Sequence, residues 1–103
     1  MGQTDPDTVS AQDVVGGNPA TVYVKFVSQV APYDTDSVSY SGDTDALGPN
    51  PPSACPSPPS GGSLSETHFT VPTVAVSESK SITVSVHGPT KVRSGTFNVL
   101  PSS

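Results

Sequence analysis

Apolar and polar residues alternate with a period of two through much of the chain. The clearest early run is Ala20 to Val30. Val22, Val24, Phe26 and Ser28 fall on one face, and Thr21, Tyr23, Lys25 and Val27 on the other. Period two with β-branched and aromatic enrichment predicts a strand whose first face points to a core. Tyr23 and Val27 predict partial cover on the second face. Ser81 to His87 is the cleanest run of all, with Ile82, Val84 and Val86 facing one way and Ser81, Thr83, Ser85 and His87 the other. Shorter segments complete the set. Val14-Val15 precedes the turn Gly16-Gly17-Asn18-Pro19, Ser37 to Ser41 places Val38 and Tyr40 together, and His68 to Val71 places Phe69 and Val71 together. Pro72 interrupts there, which predicts an edge or a bend. Val74 and Val76 resume the alternation, and Ser77-Glu78-Ser79-Lys80 and Gly88-Pro89 read as turns. Val92 opens a last segment, bent or bulged at Ser94-Gly95, that ends with Phe97 and Val99 inward.

Seven short strands are therefore predicted, around Val14, Val24, Val38, Phe69, Val74, Val84 and Phe97. Short strands separated by turn signals predict an antiparallel β-sandwich. Its core should gather Val22, Val24, Phe26, Ile82, Val84, Val86, Phe97 and Val99. The pattern also divides the chain. Residues 1–13 read as a flexible N-terminal arm, and 14–101 as a single sandwich domain. A Pro/Ser/Gly-rich loop occupies 42–66. Its proline-rich half should be extended and solvated, and its glycine end flexible. So long a loop in so small a domain asks for a function of its own.

Composition supports the all-β class. The 103 residues allow one domain. Ser and Thr exceed a quarter of them, and strong helix formers are sparse. That excludes a helical bundle and a doubly wound α/β domain. The absence of Trp and the single Cys exclude the antibody-type core.

The run Ser81-Ile82-Thr83-Val84-Ser85-Val86-His87-Gly88-Pro89, followed by Ser94-Gly95-Thr96-Phe97-Asn98-Val99, resembles the closing strand pair of bacterial immunoglobulin-like modules of the IPT/TIG type. Gly16-Gly17 ahead of Ala20 to Phe26 is similar to the opening of such modules. The Pro-rich insertion departs from their pattern. The resemblance implies an immunoglobulin-like sandwich with a non-catalytic, interaction or spacer role. It transfers no site residues.

Charge narrows the partners. The net charge is −5, and the four cations, Lys25, Lys80, Lys91 and Arg93, form no stripe. Nucleic-acid binding and an anionic membrane surface are therefore not expected. No apolar run approaches a membrane span. Met1 to Ser10 is polar and acidic and does not read as a signal peptide. Two origins fit: a protein made and used inside a cell, such as a virion part, or a piece of a longer exported protein.

Candidate chemistry is thin. Cys55 stands alone among prolines and should be exposed, as an incidental thiol or in an intermolecular disulfide. Zinc needs about four ligands, and only Cys55, His68 and His87 are candidates. The G-x-S-x-G elbow is absent, His87 falls on an outward face and His68 begins a strand, so both read as surface histidines. Nothing around Cys55 lowers a thiol pKa. Asp34, Asp36, Asp43 and Asp45 read as solvated turn aspartates, with a weak loop calcium site as the alternative. Gly16-Gly17 and Gly61-Gly62 lack the Lys-Ser/Thr of a phosphate cradle. Pro56-Ser57-Pro58-Pro59 fits a P-x-x-P ligand but lacks a nearby basic residue, which favours a stiff spacer.

The expectation is a non-enzymatic module with no catalytic, cofactor-binding or metal residues. It would be a structural or interaction part of a larger assembly, such as a capsid decoration or tail protein on a virion surface. The alternative is an immunoglobulin-like spacer or adhesion domain from an exported cell-surface protein. A carbohydrate- or ligand-binding module comes next, with Tyr23, Tyr33 and Tyr40 as its aromatic candidates. Protein partners within the assembly are expected, self-association included, but no nucleic acid and no membrane insertion.

Overall fold

The computed structural model describes residues 5–26, 37–55, 66–88 and 91–101. Seven strands appear in chain order: β1 (Pro6–Ala11), β2 (Val14–Val15), β3 (Ala20–Phe26), β4 (Ser37–Gly42), β5 (Glu66–Val71), β6 (Lys80–His87) and β7 (Val92–Leu100). One 3-10 turn, Thr44–Ala46, follows β4. The strands form a three-stranded sheet in the order β1-β3-β5 and a four-stranded sheet in the order β2-β7-β6-β4. The two sheets make a β-sandwich of seven strands. All pairs are antiparallel except β2 with β7, which is parallel.

Alternation fixes the core. Val22, Val24, Ile82, Val84, Val86, Phe97 and Val99 are fully buried, as their spacing predicts, and Phe26 packs half-buried against them. Val71, Phe69, Val38 and Val9 complete the layer between the sheets.

Three expectations are corrected. The first concerns the arm at 1–13. Residues 6–11 are the strand β1, paired with β3 from Pro6↔Phe26 to Ala11↔Val22. Pro6 and Val9 are buried. The segment carries little apolar surface, so its strand character comes from pairing rather than from alternation. Side-chain bonds also tie the region to β7. Asp5 Oδ1 accepts the Lys91 amide at 2.9 Å, and Asp13 Oδ1 accepts the Asn98 amide at 2.8 Å. Residues 1–4 lie outside the described residues.

The second correction concerns Val74. No strand forms there, and its side chain is exposed. Pro72 has no amide to continue a ladder. The backbone here pairs instead with the loop: Val74 N–H donates to Ala46 O, Gly48 N–H donates to Pro72 O, and Leu47 bridges Thr73. The buried Thr73 hydroxyl adds a stitch, accepting the Gly17 amide and donating to Asn18 O at 2.6 Å.

The third concerns the Pro-rich loop. Its first half is not solvated throughout but lies along β4. Val38 N–H donates to Ser53 O, Ser37 bridges Ala54, and Tyr40 Oη donates to Pro52 O at 2.6 Å. Asn50, at φ 57°, turns the chain back, a conformation that Asn tolerates better than most residues. Cys55 is consequently buried in the core cluster, not exposed. The segment covers backbone groups that an open sheet edge would present to other chains.

Candidate functional site

The residues singled out for chemistry do not converge. His68 is on β5 and His87 on β6, so the two histidines lie in different sheets. His87 Nε2 sits 2.8 Å from Ser39 Oγ, where it braces β4 against β6. Asp43 Oδ2 accepts the Ser81 amide, while the Asp43 amide donates to Ser81 O. This reciprocal clamp ties Asp43 to the start of β6. Asp45 lies in the 3-10 turn. Asp34 and Asp36 lie outside the described residues, as do Tyr33, Pro56 to Pro59 and Gly61-Gly62. Among the described residues no three of His, Cys, Asp and Glu gather as metal ligands do. Gly16 is packed against the Val74 carbonyl, where a Cβ would stand 2.4 Å from the oxygen. It serves the turn rather than a ligand.

The two outer faces differ in chemistry. On the four-stranded sheet, register places Ser39, Ser85 and Ser94 in one row and Ser41, Thr83 and Thr96 in the next. Ser85 and Ser94 hydroxyls lie 2.9 Å apart, and those of Thr83 and Thr96 3.2 Å apart. The hydroxyls therefore bond largely to one another, and cross-strand pairs of this kind stabilise the sheet.

The three-stranded sheet presents an aromatic. Tyr23 stands on the outer face of its central strand, 45% exposed. His68, its partner across β5, packs beside it with ring centroids 5.9 Å apart and planes at 41°. Next to Tyr23 is a hollow of about 180 Å³ lined by Gln12, Asp13, Val14, Pro19, Ala20, Thr21 and Tyr23. It opens where the chain leaves β1 in one sheet to enter β2 in the other. Of these residues only Tyr23 stands out in the sequence as a binding candidate; Val14, Pro19, Ala20 and Thr21 carry strand or turn signals alone. The hollow depends on the β1–β2 crossover, which alternation does not announce.

Tyr40 is the other tyrosine in view. Its hydroxyl points inward to Pro52, and burial pushes its pKa up from 10.0 to about 12. A raised folded-state value leaves stability intact below pH 10, where both states hold the proton. Between pH 10 and about 12 the unfolded chain ionises first, so stability falls as pH rises through that window. Denaturant midpoints measured across it should decline in the native protein and decline less in Tyr40→Phe. Equal slopes would show that Tyr40 ionises as freely in the folded chain as in the unfolded one.

Comparison of the chain with protein-family models, with curated proteins and with solved structures gave no match.

Proposed function

We propose that this chain is a non-enzymatic structural module that spans between attachment points in a larger assembly. A virion-surface role, as a capsid decoration or tail component, is one setting. A spacer or adhesion domain of an exported cell-surface protein is the other, and one observation favours that in-line form. The chain enters and leaves the sandwich at opposite poles. Asp5 accepts the Lys91 amide at the start of β7, and Gly88 packs beside Pro6. Leu100, at the far end of β7, receives the Gly16 amide. Nine residues of strand at about 3.3 Å each separate those ends by roughly 30 Å. The molecule measures 45 × 23 × 20 Å. The two short dimensions match the width of four strands and the thickness of two layers, so the strands run along the long axis. A pull on the two ends is therefore directed along that axis.

The resemblance of the β6–β7 pair to bacterial immunoglobulin-like modules agrees with such a role. Small-angle X-ray scattering of two copies joined head to tail by a short linker tests it. The maximum dimension of the tandem should exceed that of one copy by about the 45 Å long axis. An increase near the short dimensions would mean side-by-side packing and would overturn the in-line reading.

A further inference from the structure

The hollow beside Tyr23 combines features that point to one kind of occupant. Among the described residues of its lining Asp13 is the charged one, and the carboxylate is held in place. Its Oδ1 accepts the Asn98 amide at 2.8 Å and, with Oδ2, faces the Asn98 side-chain amide at 3.3 and 3.4 Å. Both donors are neutral, and among the described residues no cation pairs with this carboxylate. A fixed carboxylate binds a cation without first ordering its own side chain. Tyr23 forms an aromatic wall, itself packed against His68. Gln12 and Thr21 supply further acceptors at the rim. On the same sheet face Lys25 lies opposite Glu66 in register. The whole chain carries a net charge of −5.

We infer that this hollow receives an arginine or lysine side chain from a basic protein partner. The inference rests on the assembly-module reading and names the partner's chemistry. A guanidinium in the hollow can donate to Asp13 and lie against the Tyr23 ring, combining a charge-assisted hydrogen bond with a cation–π contact. An aromatic anchor at the centre of a polar sheet face is also the composition of an interface hot spot. Among the described lining residues an anionic ligand would meet no cation and would face the Asp13 charge. The net acidity of the chain would draw a basic partner at long range, and the hollow would set its register.

The test is an amide-shift titration of the full chain by NMR. The probe is a capped pentapeptide with arginine at its centre; the control peptide carries citrulline, uncharged and nearly isosteric. The arginine peptide should shift the amides of Gln12, Thr21 and Tyr23, and added salt should weaken the effect. Asp13→Asn keeps an oxygen for Asn98 and should lower affinity about tenfold or more. Tyr23→Ala should lower it by roughly threefold. Unchanged β7 shifts in the free variants would show that the fold is retained. Equal binding of the citrulline peptide would overturn the inference. So would diffuse shifts insensitive to Asp13→Asn, which would indicate general attraction to an acidic chain. Localised shifts with a neutral disaccharide but not with the arginine peptide would make the hollow a saccharide subsite instead. None of these outcomes alters the length of the head-to-tail tandem, so this inference can fail while the in-line reading stands.

Discussion

Replacing Phe97 by alanine is expected to cost about 3–5 kcal/mol, because it removes a whole buried ring and leaves a void between two sheets. Phe97 is fully buried, among the largest buried side chains, and lies opposite Ile82 in the β6–β7 register. Close-packed neighbours on both sheets relax only partly around such a gap. Domains of this size have about 5–15 kcal/mol in all. The loss is therefore a large fraction of the total. Val84→Ala, a smaller deletion one register step away, should cost on the order of 1–3 kcal/mol. Urea unfolding measures both. The midpoints should fall in the order native, Val84→Ala, Phe97→Ala, with the slope preserved. A Phe97→Ala midpoint close to that of the native protein would mean that the ring is not the keystone of the core.

How much of this was legible in the sequence depends on what each element uses to hold itself in place. β3, β6 and the second half of β7 bury an alternating set of apolar residues, and Val22, Val24, Ile82, Val84, Val86, Phe97 and Val99 could be read directly. Elements held by backbone pairing left no such trace. β1 has one buried aliphatic, Val9, beside Pro6, and β4 is a serine-rich edge. The segment 47–55 looked like a solvated linker because prolines hide the few groups that matter. Those are the carbonyls of Pro52 and Ser53 and the buried Cys55. In the opposite direction, Val74 and Val76 imitate a strand, but Pro72 ends the ladder and the loop takes over its hydrogen bonds. The candidate site was the least legible part. Tyr23 was visible as an outward aromatic, whereas Asp13 acquires its place only when the chain crosses between sheets and Asn98 fixes its carboxylate.

Gly95→Ala probes the element that alternation missed. Gly95 lies on β7 opposite Val84, and the backbone of β1 crosses directly over it. A Cβ at this position would stand 2.5 Å from Val9 O, 2.9 Å from Val9 C and 3.3 Å from Ser10 Cα. All three are backbone atoms, which cannot rotate away as a side chain could. Either β1 lifts from β7, or β7 bends away from β6 and opens the core around Phe97. The first route is the less costly, because β1 is an edge strand held by one neighbour in its sheet. Overpacking of this kind costs about 1–3 kcal/mol, and on a domain of this size each kcal/mol lowers the melting temperature by roughly 4–8 °C. The location of the damage is the sharper readout. Amide exchange should quicken along residues 7–11 and at the β3 amides that face them, while the β6–β7 ladder keeps its protection. Because Asp13 follows β1 directly, the arginine-peptide titration should weaken in the same variant although Asp13 and Tyr23 are untouched. Full stability with unchanged exchange in β1 would mean that the first strand does not press on β7. Residues 6–11 would then be the loosely held arm that their composition suggests.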